Sequence, residues 1–106
     1  MARNDSLDAA EKVRLIRALA FQIRRKRPAA EAFTEVLEQE FRGGRHRMFR
    51  PTSDALGESG FLAALKVLGL IGDEAAVILD IVIDANDHRL LAGALEKLAD
   101  HTEQSA

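Results

Sequence analysis

The sequence predicts an all-α fold: a compact antiparallel bundle of about five to six helices, in a single domain covering residues 1–106. Three observations lead there. Ala and Leu dominate a chain that has five Phe, no Tyr and no Trp, and both are strong helix formers. Apolar residues recur at three- and four-residue steps, the spacing of one helical face. Both prolines, Pro28 and Pro51, stand where a helix can begin. At 106 residues, 47% hydrophobic and 30% charged, the chain is long enough to close one core and too apolar for a disordered tail.

A first helix begins near Asp5 or Ser6, either of which can cap it, with Asp8 and Glu11 in the favourable first turn. Leu7, Ala10, Val13, Ile16, Ala20 and Ile23 form its apolar face. Pro28 restricts Arg27 to extended or turn backbone, so this helix stops just before it. The basic run "RRKR" therefore reads first as a helix end. Cations in a last turn meet the negative end of the helix dipole, each worth ~0.3–1 kcal/mol, and here they can also face Glu31 and Glu35.

Pro28 suits the first position of a second helix, where its missing N–H costs nothing. Ala29, Ala32, Phe33, Val36, Leu37 and Phe41 form the stripe, Glu31, Glu35 and Glu38 face outward, and Gly43 ends the helix. "RGGRHRMFRPTSDALGESG" is the least regular region, with a short helix from about Thr52 to Glu58 that Pro51 opens or precedes. "GFLAALKVLGLIG" is apolar almost all round and predicts a buried central helix ending at Gly69 or Gly72. "DEAAVILDIVIDAND" is rich in β-branched residues, but no second strand exists to pair with it, so it reads as a helix. Asn86 caps a last helix with the stripe Leu90, Leu91, Ala94, Leu95 and Leu98. Residues 1–4 and 102–106 are expected to fray.

The net charge of −2 hides an asymmetry. Residues 1–50 carry +5 and residues 51–106 carry −7, which suggests intramolecular complementarity or oppositely charged patches offered to partners. With no Cys, disulfides, thiolate metal sites and Cys catalysis are excluded. No apolar run reaches ~18 residues, and "MARNDSLDAAEK" has no apolar signal-peptide core. The expectation is a cytoplasmic protein without a membrane span.

No phosphate loop is present: "RGGRHR" lacks the Lys-Ser/Thr and the strand-turn-helix setting. There is no Gly-x-Ser-x-Gly nucleophile motif and no defensible acid/base pair. Asp80, Asp84, Asp87 and His88 are the best metal candidates, but Asn86 breaks the helix that would align them, and a solvated acidic face is the commoner outcome. The sequence therefore predicts no enzyme, no cofactor and no metal. Nucleic-acid binding has charge in its favour, in residues 24–27 and 42–50, with Phe49 as the one interleaved aromatic. A helix-turn-helix over residues 13–42 would need Glu-rich helix two as its reader, which is a poor one.

From Leu15 onward the layout resembles the cytoplasmic domain of the inner-membrane platform proteins of type II secretion and type IV pilus systems. "LIRALAFQIRRKRPAAEAFTEVLEQ" is similar to that family's first two helices, with Pro28 at the turn and Glu31-Ala32-Phe33 in its Glu-Ala-Leu place. "GESGFLAALKVLGLIGDE" resembles its Gly-x-x-Leu-x-x-Ala-Leu step through Gly60 or Gly57, Leu62, Ala64 and Leu65. "LLAGALEKLADHTE" matches its last helix through Leu91, Leu95, Leu98 and Ala99. The departures are equally concrete. "RKR" replaces the turn glycine, none of the fixed residues of Gly-Glu-x-x-Gly survives in Ala85–Arg89, the third helix is short around Pro51, and the family's membrane spans are missing.

The resemblance implies a bundle of about six helices that docks proteins, associating with itself and with assembly components such as the secretion ATPase. The expected function is thus a non-enzymatic adaptor or assembly module, forming a homodimer. Its basic docking candidates are Arg24, Arg25, Lys26, Arg27, Arg45, Arg47 and Arg50, and its acidic ones Asp80, Asp84 and Asp87. The alternative is a small nucleic-acid-binding regulator that uses the same basic residues.

Overall fold

The computed structural model describes residues 7–105. Six helices follow one another: α1 (Ala9–Arg24), α2 (Ala29–Arg42), α3 (His46–Ser59), α4 (Phe61–Leu68), α5 (Asp73–Asp84) and α6 (His88–Ser105). There is no strand among the described residues, as the composition predicts. The Cα radius of gyration of 13.1 Å is that of a compact chain of this length.

Asp8 caps α1, its Oδ1 accepting the Glu11 N–H at 2.8 Å; Asp5 and Ser6, the expected caps, lie outside the described residues. The buried face of α1 is wider than its simplest stripe. Leu15 and Leu19 are buried with Val13, Ile16, Ala20 and Ile23, while Ala10 is exposed. The reason is position: α1 packs against both α6 and α2, so apolar side chains are needed over more than one face. Ion pairs give the directions. Arg17 reaches Asp100 and Glu103, whereas Arg24, seven residues on, reaches Glu96, so α1 and α6 run antiparallel. Arg14 near the start of α1 meets Glu40 near the end of α2, which makes that pair antiparallel too.

The α1–α2 turn explains part of the basic run. Lys26 has φ 71, its N–H donates to the Ile23 carbonyl at 2.9 Å, and the Arg27 N–H donates to Gln22 at 3.3 Å. This is a Schellman closure with Lys where Gly is usual. An L-residue is strained in this left-handed conformation. Lys26→Gly is therefore expected to raise stability by about 1 kcal/mol, measured by urea unfolding; a loss would show that the lysine side chain holds the turn.

In α2, Ala32, Phe33, Val36 and Leu37 are buried, and so is Glu40. The short helix expected over about residues 52–58 forms, but as part of a longer helix, α3, which begins at His46 and contains Pro51 as its sixth residue. Proline there leaves the Arg47 carbonyl without its usual donor. Burial offsets that defect, for Phe49 is 0% exposed and Thr52 only 1%. Two buried side chains a turn apart, one aromatic and one a threonine, hold the segment against the core.

Gly60 and Gly69, with φ 100 and 82, bracket α4. Only one face of α4 is buried, through Phe61, Ala64 and Leu65, and Val67 is exposed. It is thus not the fully buried helix that its composition suggests. Phe61 meets Phe33 of α2 edge to face, with centroids 5.7 Å apart. The β-branched segment is helical, as expected, but Leu79 is its only fully buried residue. Its backbone approaches α4 and α6 alone.

Asn86 does not cap α6. It takes a left-handed φ of 56, and Asp87 is the cap, its Oδ1 accepting from the Arg89 and Leu90 N–H groups at 2.9 and 3.3 Å. α6 buries Leu91, Ala92, Leu95 and Ala99, while Leu90 is exposed. The helix carries on through Ser105, over residues that the sequence marks as prone to fray. Residues 1–4 and Ala106, also expected to fray, lie outside the described residues.

Candidate functional site

The charge asymmetry is used in part inside the molecule, through two arginines of the first half. Arg17 Nη2 lies 2.8 Å from Asp100 and 3.1 Å from Glu103, and Arg24 Nη2 lies 2.8 Å from Glu96. These pairs join the basic first half of the chain to the acidic second half. A second network is more enclosed. Glu40 takes Arg14 Nη1 at 3.0 Å and Arg45 Nη1 at 3.4 Å, and Arg45 Nη1 also reaches Glu11 at 2.7 Å. The hydrogen bond that Arg14 donates to Glu40 raises the Arg14 pKa above its ordinary value, against the opposing effect of burial. The Arg45 guanidinium lies 5.2 Å above the Phe49 ring, so it is held by the two carboxylates and one aromatic face.

The seven basic candidates therefore divide. Arg24 and Arg45 are held in ion pairs within the fold. Arg25, Lys26, Arg27, Arg47 and Arg50 are exposed and form no ion pair among the described residues. The expected contact of the run with Glu31 and Glu35 does not form; Arg24 turns to α6 instead. The two clusters are also separated. Arg45 sits by Glu11 near the start of α1, and residues 24–27 follow its end, roughly 20 Å away at 1.5 Å per residue. Phe49, the aromatic that could have stacked on a base, is buried. Phe21 is exposed instead, with the Arg25 guanidinium 5.5 Å above its ring.

Asp80 and Asp84 are exposed on α5, while Asp87 is occupied by its cap. The break at Ala85–Asp87 keeps Asp80, Asp84 and His88 off a common helical face. No group of three His, Asp or Glu able to hold a metal occurs among the described residues. A groove of about 380 Å³ opens between the α1–α2 and α5–α6 turns, with Ile23, Pro28, Val82 and Leu91 in its lining and Lys26 and His88 beside them. No nucleophile with an adjacent base occurs in it. No helix is long and apolar enough to cross a membrane among the described residues.

The feature missing from the expected site is the outer face of α5. Val77, Ile78 and Ile81 are 63%, 61% and 67% exposed. At 3.6 residues per turn they span about 100° of helix surface, while Leu79 turns inward. Asp73, Asp80 and Asp84 fall along one edge of that arc. The signal was present in the sequence, because six apolar residues between Val77 and Ile83 circle the helix. A helix apolar all round must be covered on all sides, yet only one side of α5 meets the fold.

Compared with known proteins, the chain matches no family model, no curated protein and no solved structure.

Proposed function

We propose that this chain is a non-enzymatic protein-interaction module, an adaptor or assembly component working in the cytoplasm, and that the outer face of α5 is its principal docking surface. One observation carries this reading: three large aliphatic side chains stand together on a helix that otherwise has a packed side. Contiguous exposed apolar surface marks interaction sites far more often than scattered residues do. The absence of any converging catalytic set in the sequence supports the same choice. The resemblance to platform-protein cytoplasmic domains makes secretion or pilus assembly components the first partners to look for.

A homodimer through the same face is a second form of this reading, and sedimentation equilibrium of the chain decides it. Nucleic-acid binding has Arg25, Lys26, Arg27, Arg47 and Arg50 behind it, but in two separate clusters, and the exposed aromatic beside the first, Phe21, already has the Arg25 guanidinium over its ring. The test is affinity capture from the native lysate, with and without nuclease, using the wild-type chain and Ile78→Ser/Ile81→Ser. A stoichiometric protein retained after nuclease and lost with the double substitution is the expected result. Recovery of nucleic acid alone, unchanged by the α5 substitutions, would overturn the reading.

A further inference from the structure

We infer that the partner presented to α5 is a cationic amphipathic helix, whose apolar stripe covers Val77, Ile78 and Ile81 and whose Lys or Arg side chains lie along Asp80 and Asp84. This inference rests on the protein-interaction reading and adds the chemistry of the occupant. α5 carries four acids and no base. Asp73 is paired with Lys66 at 3.1 Å, but Asp80 and Asp84 pair with no base among the described residues. Arg89, the nearest base along α6, reaches neither of them. Asp84 also stands in the last turn, where the helix dipole is already negative and no basic residue compensates it. The apolar stripe thus has one strongly negative edge. Complementary charge on that edge would set the partner's orientation as well as its choice.

The other occupants fit less well. Two copies of α5 meeting face to face would bring like-charged edges together wherever Asp80 and Asp84 approach their equivalents. One cationic surface of the chain with a large exposed apolar residue is the outer face of α1, around Phe21. There Arg14, Arg17 and Arg24 are held by Glu40, by Asp100 and Glu103, and by Glu96, leaving Arg25 alone stacked on the ring. A second copy has free cations in Arg25, Lys26, Arg27, Arg47 and Arg50, but among the described residues no helix joins them to a stripe of large exposed aliphatic side chains. An anionic lipid surface would be repelled by the same acids. A helix also matches the shape, because α5 offers a ridge of about three turns and no open backbone donors along its length.

The probe is a synthetic Leu/Lys amphipathic helix and its Leu/Glu counterpart, each titrated into the full chain with amide chemical-shift mapping. The Leu/Lys peptide is expected to bind and to shift residues 73–84, and the Leu/Glu peptide to bind about tenfold or more weakly. Asp80→Lys/Asp84→Lys should lose the Leu/Lys peptide while its melting temperature stays level or rises, since a cation replaces an acid at the C-terminal end of α5. Equal binding of the two peptides, shifts confined to other helices, a dimer dissociated by Ile81→Ser, or retention by anionic vesicles would each overturn the proposal. Lysate capture separates it from the broader reading. If Ile78→Ser/Ile81→Ser loses the native partner and Asp80→Lys/Asp84→Lys keeps it, the interaction module stands and its cationic partner falls.

Discussion

Phe49→Ala is expected to cost about 3–5 kcal/mol, the range for removing a buried aromatic ring. A domain of this kind has about 5–15 kcal/mol of stability in total, so the variant should be partly unfolded at moderate temperature. The ring is 0% exposed, and it holds the N-terminal half of α3 against the core despite Pro51. Its loss also removes the surface on which the Arg45 guanidinium lies. Urea unfolding followed by far-ultraviolet circular dichroism is the suitable measurement, because the chain has no Trp or Tyr to report by fluorescence. Phe21→Ala is the control, as Phe21 is 57% exposed and its loss should change little. A cost below about 1 kcal/mol for Phe49→Ala would mean that α3 is not anchored as described.

The second large effect belongs to Glu40. Glu40→Gln should cost about 2–3 kcal/mol, less than the 3–5 typical when one member of a fully buried pair is removed. The discount reflects its partners: the Glu40 side chain is 10% exposed, but Arg14 is 52% and Arg45 29% exposed, so water can re-solvate them in part. Arg45 also keeps Glu11. Pairing the change with Arg14→Gln should give less than the sum of the two single costs. By contrast, Arg24→Ala breaks a pair exposed at both ends and should cost under about 1 kcal/mol. Equal costs for Glu40→Gln and Arg24→Ala would remove the distinction between the enclosed network and the outer pairs.

How far the sequence could be read varied with how local the cause was. α2 was legible because its stripe, its preceding proline and its closing glycine are all short-range features. Glu40 was legible in principle, since it falls four residues after Val36 and three after Leu37, in phase with the buried stripe. An acid in that place needs a partner from elsewhere, and no local pattern says which. Arg24 shows the same limit: its choice of Glu96 over the nearer Glu31 and Glu35 depends on the antiparallel register of α1 and α6. The start of α3 was hidden because proline and a basic, glycine-flanked run argue against helix, and only the tertiary burial of Phe49 and Thr52 reverses that. In α5 the apolar circle was visible, but which side would remain uncovered depended on where α4 and α6 approach it. The candidate site shifted accordingly, from a list of charged residues to an aliphatic face with one acidic edge.

The most direct test of that face is amide hydrogen exchange on the full chain, free and bound to the protein recovered with it from the native lysate. Slower exchange across residues 73–84 in the complex, with residues 24–27 and 45–50 unchanged, is the predicted result. Protection confined to the two basic clusters, with α5 exchanging as in the free chain, would contradict the assignment of α5 as the docking surface.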